Sequence, residues 1–310
     1  VKERLLDFLA CPECQSALNL KKEIIENSEI KKGTLSCQQC RKIYPLEDYI
    51  PRFVQLDSYT DSFSFEWNVF HDVQMDILNN TRESEETFIY KTGFRKEDVR
   101  GKVFLDAGVG AGRFADIVSR WEGEVIGFDL SFAVEAAYKN IGQREKVHIV
   151  QADIFKPPFK RESFDHMYSI GVLHHTPDTK KAFKSIVPLL KKNGAFAVFI
   201  YEKGVYHRYS DLWRKITVRL PLRLMYVISA IAIPLYYIHK IPFLGPALQF
   251  AFPTANWPKW KWRWLDTFDW YTPKYQWKHT YPEVYQWYKE SGFEDIELFD
   301  YPVCMRGFKR

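Results

Sequence analysis

The sequence predicts an α/β fold: an open sheet of alternating strands and helices, with a small β module in front and a helical insertion late in the chain. Three observations predict it. Residues 103–112 read Val-Phe-Leu-Asp-Ala-Gly-Val-Gly-Ala-Gly, an apolar strand entering a glycine turn, with Arg113 opening a helix. Apolar runs of strand length recur at 125–128, 147–150, 164–169 and 195–201. Two Cys-x-x-Cys pairs, Cys11/Cys14 and Cys37/Cys40, stand ahead of all of them.

The glycine turn lets a ligand approach bare backbone, and free amides at the helix start favour anionic groups. A dinucleotide fingerprint would place a small residue three positions after Gly110, where Arg113 stands. Nor does it use an acid two residues before its first glycine. Asp106 occupies that place and suits a cofactor carrying an ammonium group.

The pattern Asp106-x-Gly108-x-Gly110-x-Gly112 resembles the first motif of class I S-adenosylmethionine (SAM) methyltransferases. The resemblance continues in order. The second strand ends in Asp129, and the third leads to Gln151-Ala152-Asp153-Ile154. The fourth runs into Ile170-Gly171-Val172-Leu173-His174-His175, similar to the family's "Leu-His-His" fourth motif. Residues 189–194 then turn into the fifth strand. The resemblance implies a Rossmann-like sheet of seven strands, the last antiparallel. It also implies the cofactor contacts. Asp106, Ala107, Gly108, Gly110 and Gly112 would hold the amino-acid end, and Asp129 with Leu130 the ribose. Asp153 would take the adenine amino group, Ile154 would pack on the ring, and Ile170 would line the site.

Each Cys-x-x-Cys forms a turn whose two thiolates point at one ion. Two such turns complete a tetrahedral four-sulfur zinc site with no open position. With Arg41-Lys42-Ile43-Tyr44-Pro45-Leu46 after the last cysteine, the segment resembles the Trm112-type ribbon, a module that accompanies several methyltransferases. Zinc there would replace a core too small to fold alone. Cys304 falls in the last expected strand as a small buried residue.

In the common class I topology the fifth strand leads to one helix and a closing hairpin. Residues 282–290 fit that helix, and 295–300 and 303–308 fit the hairpin. Residues 203–281 are then an insertion, without Asp or Glu from Leu212 to Leu265 but with eight Lys and Arg. Residues 220–238 approach the length of a membrane span but contain Arg223 and two prolines. The readings left are a cap on the substrate pocket, which is favoured, a membrane-interface segment through 212–265 with Trp257, Trp260, Trp262 and Trp264 at headgroup level, or a homodimer interface. The expected division is 1–56 ribbon, 57–100 helical linker or lid carrying Phe65 and Trp67, 101–202 SAM-binding core, 203–281 cap, and 282–310 closing helix and hairpin. Phe65 and Trp67 either close over the cofactor or staple the ribbon to the core.

Composition agrees with an enzyme of this kind. The chain has 310 residues, 46% hydrophobic and 17% aromatic, enough for a full core and an apolar pocket. A net charge of +5 is too mild to imply nucleic acid. The charged first residues lack the pattern of a secretory signal, and the paired cysteines argue against a disulfide framework, so a cytoplasmic place, with membrane association kept open, is expected.

The function read from these residues is SAM-dependent methylation of a small-molecule or lipid-like acceptor, at oxygen or nitrogen. His174, His175 and His279 are the candidate general bases. Asp269, Trp270 and Tyr271 form the expected substrate wall. Two alternatives stay open. One is an RNA methyltransferase, against which Ser169-Ile170-Gly171-Val172 stands where base-amine methyltransferases often carry a Pro-Pro tetrapeptide. The other is a membrane- or partner-binding scaffold that keeps the SAM fold as a frame.

Overall fold

The computed structural model describes residues 1–54, 58–204, 208–300 and 303–310. The boundary expected at 56/57 lies outside the described residues. Two sheets form.

The first sheet is antiparallel: β1 (Leu18–Glu26), β2 (Glu29–Cys37), β3 (Ile43–Glu47) and β4 (Ile50–Pro51), in that order. The two cysteine knuckles are built alike. Gln15 N donates to Cys11 O at 2.8 Å and Arg41 N to Cys37 O at 3.2 Å. Gln15 and Arg41 both take positive φ, 62° and 59°, which turns each chain back on its cysteine pair.

The second sheet contains β5 (Val103–Ala107), β6 (Glu124–Asp129), β7 (Val147–Gln151), β8 (Phe164–Ile170), β9 (Leu190–Phe199), β10 (Phe293–Phe299) and β11 (Cys304–Lys309). Their order is β10-β11-β9-β8-β5-β6-β7. All pairings from β9 to β7 are parallel, and β11 is antiparallel between β9 and β10. Alternate residues enter two separate cores. Leu105, Ile126, Val150, Met167 and Phe196 face one side, and Phe104, Val125, Ile149, Tyr168 and Ala195 the other.

Three details differ from the sequence reading. The turn expected at 189–194 lies within β9: Phe164 pairs with Leu190 and His166 with Ala195, so Lys191–Gly194 bulge out, with Asn193 at φ 61°. The hairpin strands are shifted by one or two residues because Phe293 and Lys309 pair beyond the expected ends. The closing helix is Tyr281–Glu290, and a capping box fixes its start: Glu283 Oε2 accepts from Thr280 N at 2.9 Å.

The ribbon is not an independent core. Its chain pairs with the large domain at Leu9–Phe159 and Arg52–Gln151. Phe8 stacks on Phe164 at 5.9 Å. Leu5, Phe8, Leu9 and Leu35 share one apolar cluster with Leu105, Phe159 and Met167.

The insertion is helical: Arg208–Thr217, Leu222–Ser229, Ala232–Ile238, Leu244–Ala251 and Trp260–Tyr271. The apolar run 220–238 breaks into two short helices, and among the described residues no helix is long and apolar enough to cross a membrane. Helix Asp61–Val69 and the stretch after it pack on this group. Phe70 and Val73 meet Trp262 and Leu265, while Phe65 meets Met225 and Phe268. The chain then returns to the sheet, where His279 N donates to Tyr201 O at 2.9 Å.

All ten tryptophans lie after residue 56, so tryptophan fluorescence reports on everything except the ribbon. Leu9 is buried in the shared cluster. Leu9→Ala should shift the fluorescence-monitored urea transition, with a loss of about 2–5 kcal/mol. An unmoved transition would mean that the ribbon folds apart from the rest.

Candidate active site

A cavity of about 1080 Å³ opens at the carboxyl ends of β5, β6, β8 and β9. Strand order reverses there, with β5 followed by β6 on one side and β8 on the other, so the loops diverge and leave a crevice. Helix Asp61–Val69 and the insertion roof it.

The glycine loop forms the floor. Gly108 N and Val109 N both donate to Phe128 O, at 2.9 and 3.0 Å. Gly110 N donates to Asp129 Oδ2 at 3.1 Å. Gly108 has φ 97°, and a Cβ on it would lie 2.3 Å from Val172, so only glycine fits. Gly110 faces the cavity, where the Trp67 indole stands 3.4 Å from the place a Cβ would take. Asp129 also accepts Ser131 N and Oγ at 2.9 and 2.7 Å. Burial raises its pKa, and these donors work against that rise.

Of the ten expected cofactor residues, Gly108, Gly110, Asp129, Leu130, Ile154 and Ile170 line the cavity. Asp106 lies beneath the loop, buried, with Oδ2 accepting the Tyr168 hydroxyl at 2.9 Å. Burial pushes its carboxyl up to about 8. Ala107, Gly112 and Asp153 also stand off the lining. Ala107 O accepts Ser169 Oγ, Gly112 packs against Ile141, and Asp153 Oδ1 accepts Phe155 N at 2.9 Å.

The three candidate histidines have different settings. His175 lines the cavity. Its Nδ1 is 2.8 Å from Tyr275 O, which fixes the neutral ring as the Nδ1–H tautomer and leaves Nε2 as an acceptor. Burial lowers its pKa, and nearby Asp269 opposes that. His174 is enclosed behind it, 4.0 Å from the Tyr201 ring, with neither ring nitrogen hydrogen-bonded among the described residues. Burial pushes its pKa well down. His279 lies off the lining, with Nε2 3.0 Å from Thr179 Oγ1 and its ring against Trp287.

The expected substrate wall divides in the same way. Asp269 and Trp270 line the cavity, whereas Tyr271 turns away and donates its hydroxyl to Pro253 O at 2.6 Å. Trp67 lies at the glycine loop, and Phe65 packs into the insertion against Phe268 and Tyr226, so neither staples the ribbon.

Among the polar lining residues that sequence reasoning missed are Glu66, Asp266 and Arg113. Glu66 is 1% exposed, and neither of its oxygens has a hydrogen-bond partner among the described residues. Burial raises its pKa well above the usual range, and Asp269 and Asp266 add to this. Burial pushes Asp266 up to about 7. Arg113 donates to Ser84 Oγ at 2.8 Å and to Gln74 Oε1 at 3.0 Å. A signal for Glu66 did exist. Phe63, Glu66 and Trp67 stand at i, i+3 and i+4, which puts the acid on the aromatic face of one helix.

Comparison with known proteins agrees with this geometry. Residues 105–198 match the family described as methyltransferase domain, and residues 2–48 match Trm112p-like protein. The chain therefore joins a Trm112-like module to a class I methyltransferase fold. Among curated proteins, it is 33% identical over 120 residues to phosphoethanolamine N-methyltransferase 2 of Caenorhabditis elegans, covering 37% of this chain and 27% of that one. It is 29% identical over 150 residues to sterol 24-C-methyltransferase ERG6 of Saccharomyces cerevisiae, covering 45% and 38%. The chain thus matches well under half the length of these relatives. A solved complex of the Haloferax volcanii Trm112 methyltransferase activator with a methyltransferase is similar at 11% identity and a TM-score of 0.47, covering 79% of this chain and 96% of that one.

Glu66, Asp266 and Asp106 each keep a proton in the folded chain to a higher pH than in the unfolded chain. The folded state then binds more protons over that range, and stability falls as pH rises through it. Glu66→Gln removes one such group. The variant should melt above the parent near pH 8 and close to it near pH 5 in thermal unfolding. An equal shift at both values would contradict a protonated Glu66.

Proposed function

We propose that this chain is a SAM-dependent methyltransferase acting on a small-molecule or lipid-like acceptor, with transfer to oxygen or nitrogen. One observation carries the reading. The glycine loop, Asp129 and Ile154 line the same cavity as His175, Asp269 and Trp270. At about 1080 Å³ the cavity exceeds the roughly 300–1,000 Å³ of ordinary ligand pockets, which leaves room for two reactants.

SAM, when bound, supplies a methyl group on a positively charged sulfur. The chain's own residues supply alignment and exclusion of water. Asp129 offers a carboxylate already oriented by three donors, which suits a ribose diol. Leu130, Ile154 and Ile170 give an apolar slot for a flat ring. Trp67 covers the loop from above. Asp106 then acts from below, through Tyr168 and the loop it supports, instead of touching the cofactor.

His175 is the base we assign. Its tautomer leaves Nε2 free of a proton, and burial keeps the ring neutral at physiological pH, so it can take a proton from an acceptor hydroxyl or ammonium group. Asp269, on the same cavity, favours the imidazolium that results. His174 backs the ring, and His279 anchors the chain where it returns to the sheet.

Residues 203–281 serve in this reading as the acceptor cap and 57–100 as the lid and linker, while 101–202 and 282–310 make the SAM-binding core. We also propose that Cys11, Cys14, Cys37 and Cys40 of the 1–56 ribbon hold one structural Zn²⁺. Their four sulfurs lie within 4.8 Å of one another. A tetrahedral site with bonds of about 2.3 Å needs sulfurs about 3.8 Å apart. Cys11–Cys40 and Cys14–Cys37, at 3.6 and 3.4 Å, are close to that before any ion draws them into place.

Asp129→Ala should weaken SAM binding in calorimetry about tenfold or more. His175→Ala should leave SAM affinity near the parent's and lower methyl transfer from labelled SAM into a cell extract by about 10²-fold or more. Parent protein that binds no SAM would defeat the function, and unchanged turnover in His175→Ala would defeat the assignment of the base.

A further inference from the structure

The insertion has an outer face that the rest of the chain does not cover. Among the described residues, fourteen of the twenty-four exposed large apolar side chains fall within 212–260. Phe243 is the extreme case, 93% exposed, at the turn between the helices Ala232–Ile238 and Leu244–Ala251. Its φ of 63° is a left-handed conformation that a bulky side chain avoids. An exposed phenylalanine held at a strained turn gains nothing from water. Val227, in the helix Leu222–Ser229, and Tyr237, in the helix before the turn, are each 67% exposed. Patches of this kind mark contact with an apolar partner.

Charge narrows the choice of partner. No acid occurs from Leu212 to Leu265. Lys215, Arg219, Arg223, Lys240 and Lys261 are exposed and pair with no acid among the described residues. Three of the eight cations in this stretch do other work, Lys259 by pairing with Glu83. Arg214 and Arg263 are buried and donate to backbone carbonyls. A second copy of the chain would bring the same uncompensated cations against these and be repelled. A layer of anionic headgroups over hydrocarbon satisfies both features.

The cavity opens in the same face. Pro246, Phe250 and Trp257 line it and are themselves exposed.

We propose that the outer face of residues 212–260 docks on an anionic lipid bilayer, with Phe243 entering the boundary between headgroups and acyl chains. The acceptor then reaches the cavity from the bilayer, past Pro246 and Trp257. The docking stands on the surface alone, and the entry route rests on the cavity being the methyl-transfer site.

Flotation with vesicles tests the docking. The full chain should float with phosphatidylcholine vesicles containing phosphatidylglycerol, float far less with phosphatidylcholine alone, and lose binding as salt rises. The double variants Ile241→Ser/Phe243→Ser and Arg219→Glu/Arg223→Glu should each lower the bound fraction about tenfold while SAM affinity by calorimetry stays the same. Failure of the parent to float with the anionic vesicles overturns the proposal, as does flotation of both variants at the parent's level. A concentration-dependent dimer that the same variants abolish, without flotation, assigns the face to a second copy and also overturns it. With labelled SAM and cell membranes, label should appear in the organic extract, and label confined to the aqueous phase overturns the entry route. Parent protein that floats but binds no SAM separates failure of the enzymatic reading from failure of this one.

Discussion

Glu66 is enclosed, without a hydrogen-bond partner among the described residues, on a nine-residue helix that three parts of the chain bear upon. Trp67 of that helix covers Gly110 of the cofactor loop. Phe63 meets the His175 ring edge-on at 5.2 Å. Phe65 packs on Phe268 at 5.6 Å. Ser64 Oγ accepts Phe132 N, and Asn68 donates to Phe132 O, which ties the helix to the segment after Asp129. Removing water from the cavity therefore requires this helix to be seated, and seating it buries a carboxyl group. The cost of burying a charge is avoided by keeping the proton.

The rest of the molecule shows few such conflicts. Both faces of the large sheet are filled by alternating apolar side chains, and the ribbon closes one edge by pairing with β7 through Arg52 and Phe53. Among the described residues, most buried side-chain atoms without partners belong to helix Asp61–Val69 and the stretch after it, the histidine behind the cavity and the insertion: Glu66, His71, His174, Ser229, His239, Gln249 and Arg263. Of these, Glu66 and Gln249 line the cavity, where a ligand can meet their polar atoms.

Much of this was legible in the sequence because it is local. The glycine loop, five parallel strands and paired cysteine knuckles each follow from a short pattern, and the sheet order follows from the resemblance those patterns support. What was not legible depends on tertiary packing. Asn193 could not be read as a bulge residue, because only pairing of β9 with β8 shows two strand lengths being reconciled there. Arg214 and Arg263 counted as surface charge, yet both are spent on carbonyls inside the insertion. His174 and His175 are adjacent in sequence and differ only in which way the short helical turn Leu173–His175 points each ring. Asp106 carries the motif's acid, but the tyrosine that holds it comes from β8, sixty-two residues away.

Amide hydrogen exchange with and without S-adenosylhomocysteine tests most directly whether the sheet edge, lid and insertion form one site. The product should protect residues 63–67, 108–112 and 129–131 together, and also the stretch 257–270 of the roof. Protection limited to the insertion, with the glycine loop and helix 61–69 unchanged, would contradict the account.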